Sequence, residues 1–255
     1  MEKTASDYSK PILKEVRVSA IGDIHIKTDS KFLGFENYET LNQNADILLL
    51  CGDLTNMGTP EEAKVLSELL RKLHIPVAGV FGNHDYAGDQ SEEVRKILKE
   101  EGHFVFLDDN PFEIGNVGFV GVKGFGGGFD SHMLSAFGEP ALKQYVHEVV
   151  NESLHLGSLL SQLQTEKKVV VMHYSPIKET CVGEPVEIYS FLGSSHLVEP
   201  INNLNANLVF HGHAHYGTHE GKTLKDIPVY NVSLEVMKKL SPENPWKIFE
   251  INLTP

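Results

Sequence analysis

Short apolar runs recur along the chain, and each one ends abruptly at a glycine or a histidine. The runs are Val16–Ile21, Ile47–Cys51, Val77–Phe81, Val169–Met172 and Leu208–Phe210. Runs of this kind with such boundaries are typical of buried strands. Because ligands of open α/β sheets bind beyond the carboxyl ends of the strands, we expect the residues after these runs to line one edge of the fold.

Apolar residues between several of these runs follow a helical spacing. The pattern predicts helices at Lys31–Asn42, Glu61–Leu73, Ser91–Glu100 and Pro140–Gln164. Thr59 is expected to cap the second helix, with Pro60 in its first turn, and Ser91 is expected to cap the third. The alternation of strands and helices in the first part of the chain predicts βαβ units.

The middle and the end of the chain return to short strands. The segments Phe104–Phe106, Phe112–Ile114 and Val117–Val122 are expected to form hairpin structure, and further strands are predicted at 168–172, 207–210, 228–232 and 246–252. This order favours an α/β fold in which two mixed sheets form a sandwich with outer helices. Residues 1–14 are expected to be a flexible leader, and residues 15–255 a single domain.

Composition restricts the classes of function. The formal net charge of −13 speaks against general binding to nucleic acid or to an anionic membrane. It leaves an anionic substrate open, since bound cations can reverse the local field. The N-terminus has no apolar stretch typical of a signal peptide, the apolar runs are too short to span a bilayer, and only Cys51 and Cys181 are present. We therefore expect a cytoplasmic protein with reduced thiols.

Residues that commonly bind metal follow all five apolar runs. They are Asp23 and His25, Asp53, Asn83 with His84 and Asp85, His173, and His213 with His215. Each block alone is weak evidence, because a capping aspartate or a surface histidine gives the same pattern. All five together favour a metal site built across the fold. Two adjacent ions, shared by a bridging carboxylate, would suit phosphoryl transfer.

The order of these blocks resembles the calcineurin-like metallophosphoesterase superfamily from about residue 16 to residue 216. The resemblance implies a four-layer α/β/β/α sandwich and a centre for two divalent or trivalent ions, with Mn, Fe and Zn all suitable. It further implies that one ion is held by Asp23, His25, Asp53 and His215. The other is held by Asp53, Asn83, His173 and His213, which makes Asp53 the bridge.

His84 matches the histidine of this superfamily that contacts the phosphate and assists the leaving group. An imidazole can hold a proton near neutral pH and bind a phosphate oxygen, so His84 is predicted to be catalytic and substrate-binding and not a metal ligand. Asp85 is the second predicted catalytic residue, because it could orient His84. The alternative, a helix or turn cap at Asp85, stays open.

One departure from the superfamily bears on the substrate. Its protein Ser/Thr phosphatases carry the pattern Gly-Asp-x-x-Asp-Arg-Gly, whereas this chain has Asn56 and Met57 in place of the second aspartate and the arginine. The asparagine resembles the branch that contains cyclic-nucleotide and glycerophosphodiester phosphodiesterases. Asn56 is therefore predicted to bind substrate.

Further candidates lie in loops. Residues 174–196 are predicted to form a long irregular loop over the rim of the active site, and Tyr174 is expected to bind substrate, as Tyr189, Phe191 and His196 could also. Gly124–Gly128 could approach the substrate or form a tight hairpin turn. His211 could support the ligands or be a buried histidine with its hydrogen bonds satisfied.

These observations predict a dinuclear metal-dependent phosphoesterase that hydrolyses a phosphodiester or a small organic phosphate by attack of metal-bound hydroxide. The alternatives are a phosphomonoesterase of the same fold and a protein-binding module that uses this fold. An unrelated metal hydrolase would need different histidine spacings. The expected partner is a small phosphorylated substrate, with no specific nucleic acid and no membrane, and the protein is expected to be a monomer or a homodimer.

Overall fold

The computed structural model describes residues 14–254, so the predicted leader at 1–14 lies outside the described residues except for Lys14. The described strands are β1 (Glu15–Ile21), β2 (Ile47–Cys51), β3 (Val77–Val80), β4 (Val105–Phe106), β5 (Phe112–Ile114), β6 (Val117–Val122), β7 (Lys167–Met172), β8 (Leu208–His211), β9 (Glu220–Lys222), β10 (Pro228–Asn231) and β11 (Ile248–Asn252). The described helices are α1 (Tyr38–Asn44), α2 (Pro60–Leu70), α3 (Ser91–Glu100), α4 (Pro140–Gln162), α5 (Tyr189–Leu192), α6 (Val198–Asn203) and α7 (Leu234–Leu240).

Two mixed sheets stack face to face. The first has the strand order β11-β1-β2-β3-β4 and the second has the order β5-β6-β7-β8-β10-β9. Within each sheet four neighbouring strands are parallel, and the added strands β11, β5 and β9 are antiparallel. The carboxyl ends of the parallel strands of each sheet therefore meet at one edge.

Three layers of apolar packing make the sandwich four layers deep. Ile47 and Leu49 of β2 pack in the core between the two sheets, whereas Leu48 and Leu50 of the same strand pack against α1–α3. On the far side, Val170 of β7 packs beneath α4 and α6. Because both faces of the central strands are covered, these strands are continuous apolar runs without alternation. The predicted α/β/β/α sandwich is confirmed.

One predicted helix begins later in the structure, and one predicted cap is wrong. The helix expected at Lys31–Asn42 begins only at Tyr38, because Gly34 has a φ of +92° and Asn37 caps the helix by accepting a hydrogen bond from the Thr40 amide. The predicted cap at Ser91 is wrong, since Ser91 is the first residue of α3 and no side chain caps it. The predicted cap at Thr59 is confirmed and forms a reciprocal capping box with Glu62.

Two loop predictions also need correction. Phe104–Phe106 is not part of the hairpin, because β4 pairs with β3 in the first sheet while β5 and β6 pair in the second. Residues 174–196 are not irregular throughout, since they contain 3₁₀ turns at Glu179–Cys181 and Val186–Ile188 and the short helix α5. Among residues 14–254, no helix is long and apolar enough to cross a bilayer.

Candidate metal centre

The carboxyl ends of β1, β2, β3, β7 and β8 bring the predicted ligands together. Among the described residues, three groups of side chains have ligand atoms that all lie within 4.8 Å of one another. The groups are Asp23 with His25 and His215, His25 with Asp53 and His84, and Asp53 with His173 and His213. Each group offers an arrangement that can hold a metal ion.

Asp53 lies between the two ends of this site. Its Oδ2 atom is 3.7 Å from Nε2 of His25, and its Oδ1 atom is 3.3 Å from Nε2 of His173. The two oxygens of one carboxylate thus face histidines of different groups. This geometry suits a bridging ligand, which offers one oxygen to each of two ions.

His173 joins Asn83 to the site. Its Nδ1 atom is 3.0 Å from the carbonyl oxygen of Cys51, which can only accept, so Nδ1 carries a hydrogen. Nε2 is therefore the ring nitrogen that can face an ion, and it lies 2.9 Å from Oδ1 of Asn83 and 3.3 Å from Oδ1 of Asp53. These three atoms come from three different loops and meet at one point, so Asn83 belongs with this group.

His213 is oriented in the same way. Its Nε2 atom donates to the carbonyl oxygen of Phe191 at 3.1 Å, which leaves the lone pair of the neutral ring on Nδ1. A hydrogen bond on one ring nitrogen commonly fixes the orientation and the tautomer of a metal-binding histidine. The carbonyl of Phe191 therefore supports the site, and the sequence contained no signal for this role.

The other end of the site contains an ion pair. Nε2 of His215 lies 2.9 Å from Oδ1 of Asp23. Burial raises the pKa of Asp23, but the hydrogen bond from His215 and the electrostatic attraction of the surrounding imidazoles together outweigh it, and the pKa falls to about 2. The same hydrogen bond raises the pKa of His215. A cation bound here would displace the shared proton, as metal binding to histidine generally does.

Burial keeps two further histidines neutral. Desolvation lowers the pKa of His25 to about 4 and that of His213 to about 3, so both rings present a lone pair at neutral pH. The buried Nδ1 atom of His25 has no hydrogen-bond partner in the part of the chain that the structure describes. Neutral imidazoles beside carboxylates are a suitable donor set for Mn, Fe or Zn.

The backbone is strained where it carries the candidate ligands. Positive φ angles occur at Asp23 (57°), His25 (42°), Asp53 (49°) and His213 (69°). This conformation is uncommon for residues other than glycine, costs roughly 1–3 kcal/mol each and clusters at functional sites. Hydrogen bonds between neighbouring loops hold it in place: Asp23 donates its amide to Gly52, and His25 donates its amide to Asp53, both at 3.0 Å.

Two glycines leave room for the ligands. Gly52 has a φ of +81°, and a Cβ atom there would overlap the ring of His173. A Cβ atom at Gly82 would overlap the carboxylate of Asp53. The glycines at the ends of β2 and β3 therefore allow side chains from neighbouring loops to approach the backbone closely.

Asp85 has structural partners. Its carboxylate is fully buried and accepts four hydrogen bonds, from the amides of Leu54, Thr55 and Gly82 and from the hydroxyl of Thr55, at 2.6–3.1 Å. Burial and the charge of Asp53 raise its pKa to about 6. None of these bonds reaches the ring of His84. The turn-capping alternative for Asp85 describes its contacts, and the expected direct orientation of His84 is not observed.

His84 is held at the centre of the site. Its Nδ1 atom donates to the carbonyl oxygen of Asn56 at 2.8 Å, and its ring centroid lies 4.5 Å from that of His25. Only Nε2 is therefore available to a ligand. His84 shares a group with His25 and Asp53 that can hold an ion, so the expectation that it does not bind metal stays a prediction.

The predicted substrate contacts occupy different positions. Asn56 supports His84 through its backbone carbonyl. Tyr174 is buried, with its ring 4.3 Å from that of His213. Phe191 lines the opening beside His213, whereas Tyr189 packs against Phe129.

Two further sequence candidates form backbone and side-chain contacts within the fold. Gly124–Gly128 does not form a hairpin turn; it packs along 190–194, where Gly127 donates to Ser190 and Gly128 donates to Gly193. His211 is fully buried, with Nδ1 2.8 Å from the Gly212 carbonyl and Nε2 2.8 Å from the Thr180 hydroxyl. The alternative of a buried histidine with satisfied hydrogen bonds is confirmed.

Sequence reasoning missed Lys123. It follows the apolar run of β6 as the ligands follow theirs, so the same rule could have found it. Its amino group lies 4.6 Å from the ring centroid of Phe125 and 5.5 Å from that of Tyr174, and it lines a cavity together with Asn83. A half-buried cation thus lies next to the group formed by His173 and Asn83.

Comparison with known proteins identifies the family. The model of the calcineurin-like phosphoesterase family matches residues 16–217, which include all seven predicted ligands. The chain therefore belongs to the calcineurin-like phosphoesterase family, and the resemblance found in the sequence is confirmed.

Curated relatives match parts of the chain. A probable glycerophosphodiester phosphodiesterase of Arcobacter nitrofigilis is 24% identical over 63% of this chain and 58% of its own length. A 3',5'-cyclic-nucleotide phosphodiesterase of Nostoc is 34% identical over 28% of this chain and 32% of its own length. The matched part thus spans less than two thirds of either relative.

Solved structures share the fold. The phosphopantetheinyl hydrolase of Mycobacterium tuberculosis superposes with a TM-score of 0.65 at 18% identity, covering 92% of this chain and 96% of that one. A protein of Thermus thermophilus superposes with a TM-score of 0.55 at 16% identity, covering 93% and 98% of the two chains. At these identities the likeness concerns the fold alone.

Proposed function

We propose that this protein is a metal-dependent phosphoesterase with a two-ion centre. The ligands of one ion are Asp23, His25, Asp53 and His215, and those of the other are Asp53, Asn83, His173 and His213. The observation that carries the proposal is the position of Asp53, whose two oxygens face histidines of different groups. Mn, Fe and Zn all suit this mixture of imidazole, carboxylate and amide oxygen.

The two ions, when bound, supply an activated water molecule and positive charge for the phosphate ester. The residues of the chain provide the orientation. Asp53 fixes the spacing between the two ends of the site, and its Oδ1 atom also accepts the His84 amide at 2.8 Å. The catalytic loop after β3 is thereby tied to the bridging carboxylate.

His84 is the proposed general acid. The hydrogen bond from Nδ1 to the Asn56 carbonyl fixes the ring, so Nε2 is the atom that can donate to the leaving oxygen or bind a phosphate oxygen. We assign Asp85 as a positioning residue, since it binds the amides of the loop that carries Asp53 and Asn56. We further propose that Tyr174, whose ring packs against His213, limits the space around the substrate.

The proposed substrate is a phosphodiester or another small organic phosphate. Two observations favour a diester over a monoester. The relatives named for an activity are phosphodiesterases. Asn56 and Met57 replace the aspartate and the arginine that protein phosphatases of this superfamily carry. The net charge of −13 favours a small substrate over nucleic acid or a membrane, and we further propose a cytoplasmic monomer or homodimer.

A substrate panel tests this proposal. The full chain, purified and supplied in turn with Mn, Zn or Fe, is assayed with aryl phosphate monoesters, aryl phosphodiesters and cyclic nucleotides. We expect hydrolysis that a chelator abolishes, with kcat/KM higher for the diesters. Higher kcat/KM for monoesters would support the phosphomonoesterase alternative. Absence of hydrolysis from the whole panel with every metal would contradict the proposal.

A further inference from the structure

An apolar cavity of about 390 Å³ opens directly beside two of the proposed ligands. Its walls are His213 and His215 together with Glu184, Ile188, Phe191, Leu192 and Tyr216. Cavities with apolar walls and a few polar groups are the usual form of small-molecule sites. The position of this cavity makes it part of the space that a substrate at the metal centre can reach.

Three of the side chains that line this cavity are exposed. Phe191 is 60% exposed, Tyr216 is 67% exposed and Ile188 is 38% exposed. Exposed apolar groups that adjoin one another commonly mark a surface that binds a ligand. These three surround the opening to His213 and His215, where a bound molecule would cover them.

Hydrogen bonds hold this exposed wall in place. The Tyr216 amide donates to Oε1 of Glu184 at 2.7 Å, and the Phe191 carbonyl accepts from His213 at 3.1 Å. The amide of Ser175 donates to the Leu192 carbonyl at 3.0 Å. The apolar side chains are therefore presented by a fixed backbone. Glu184, the carboxylate of this cavity, already uses one oxygen to bind Tyr216.

A second cavity at the centre has a different chemistry. It has a volume of about 320 Å³, adjoins Asn83 and contains Lys123, Glu148 and Glu152 beside the rings of Tyr86, Phe125 and Tyr174. The Lys123 amino group donates to the Gly124 carbonyl at 2.8 Å and lies 3.6 Å from Glu152. Charged side chains of both signs thus line this second cavity, whereas the wall beside His213 and His215 is mainly apolar.

We propose that the cavity beside His213 and His215 binds an apolar organic group of the substrate, so that this phosphoesterase selects esters with an alkyl chain of several carbons or an aryl group. This inference rests on the proposed function, because it places the phosphate at the metal centre. The occupant is the substrate itself, since two walls of the cavity are ligands of that centre.

Binding of alkylphosphonic acids tests the inference without turnover. The dissociation constants of methyl-, butyl- and hexylphosphonic acid are measured by calorimetry with the manganese-loaded full chain. We expect affinity to rise by about fourfold per methylene group, because the burial of each methylene removes apolar surface from water. Equal affinities across the series would overturn the inference.

Two variants test whether this cavity causes the dependence of affinity on chain length. Ile188→Ala should flatten the dependence on chain length and leave methylphosphonic acid within about twofold. Leu224→Ala, which removes a fully exposed leucine away from the cavity, should keep the full dependence. If affinity in Ile188→Ala rose with alkyl chain length as steeply as in the original chain, the assignment of this cavity would be overturned.

Two further outcomes separate the possible failures. If neither phosphonates nor inorganic phosphate bind and no ester is hydrolysed, the proposed function fails and the inference fails with it. If methylphosphonic acid binds but chain length has no effect, only the inference fails. Such a result, together with a concentration-dependent dimer that Ile188→Ala abolishes, would reassign the cavity to a second copy of the chain.

Discussion

The two sheets contribute different chemistry to the proposed centre. The first sheet supplies every oxygen ligand, from Asp23, Asp53 and Asn83, whereas the second sheet supplies imidazoles alone, from His173, His213 and His215. The buried side chain that holds the ligand-bearing loops also differs between the two sheets. A buried carboxylate holds the loops of the first sheet, and a buried amide holds those of the second.

The two supports occupy comparable positions. Asp85 accepts hydrogen bonds from the loops after β2 and β3. Asn231 at the end of β10 donates to the Ala214 carbonyl at 2.7 Å and to the Thr180 carbonyl at 3.4 Å, and its Oδ1 atom accepts from the Ser233 amide at 3.1 Å. Negative charge, in the ligands and in the support, is thus concentrated on the first sheet. Substitutions of these residues of the first sheet should therefore lower activity or stability more than substitutions in the second sheet.

Asp53→Ala should have the largest effect. Loss of the carboxylate that faces both groups removes the positive charge of bound ions, which supplies several kcal/mol, so kcat/KM should fall by roughly three to five orders of magnitude. Steady-state assays with an aryl phosphodiester measure this. Asp226→Ala is the matched control, since Asp226 is exposed and its φ of 59° is close to the φ of 49° at Asp53, so both substitutions place alanine in the same backbone conformation. Activity within tenfold of the original chain would contradict the prediction.

His84→Gln should lower kcat by roughly 10²–10⁴-fold, the usual contribution of a general acid. Metal content, measured by mass spectrometry of the dialysed protein, should not change, because the two-ion assignment omits His84. His147→Gln on the exposed face of α4 is the control and should be neutral. A loss of metal in the His84 variant would instead make this residue a ligand.

Asp85→Asn should destabilise the fold by roughly 3 kcal/mol, because an amide group would place hydrogens against donors that now bind a buried carboxylate. The free energy of unfolding in urea is the measurement. Asp89→Asn, on the exposed turn a few residues away, should change it by less than about 0.5 kcal/mol. Equal stability of both variants would show that the carboxylate is not the support.

Asn231→Ala should have the smallest effect of the four substitutions and lower the free energy of unfolding by roughly 1–2 kcal/mol. Only neutral hydrogen bonds are lost, and no charge is left without partners. The same urea titration is used, with Asn151→Ala on the exposed surface of α4 as the control. If Asn231→Ala destabilised the chain more than Asp85→Asn, the contrast between the charged and the neutral support would be wrong.

The gathering of the candidate ligands at one edge of the fold could be predicted from sequence because it depends on simple local patterns. Apolar runs covered on both faces must be buried strands, and parallel strands align their carboxyl ends, so Asp53 and His173 are expected at one edge. The same rule applied to β6 would have added Lys123.

Other features depend on contacts between distant segments. Two of the three residues that donate to Asp85, Leu54 and Thr55, lie about thirty residues earlier and directly follow the strained turn at Asp53. The apolar cavity forms between 184–192 and 213–216, and no local pattern joins these segments. The error at Lys31–Asn42 is of another kind, since Gly34 and the cap at Asn37 were visible in the sequence but outweighed by the spacing of apolar residues.

The number of ions bound per chain tests the central claim most directly. Calorimetric titration of the full chain with manganese, after removal of metal by a chelator, should give two ions per chain, and the Asp53→Ala variant should bind less than one at the same concentrations. A single ion per original chain, or two ions retained by Asp53→Ala, would contradict the assignment of Asp53 as the shared ligand of a two-ion centre.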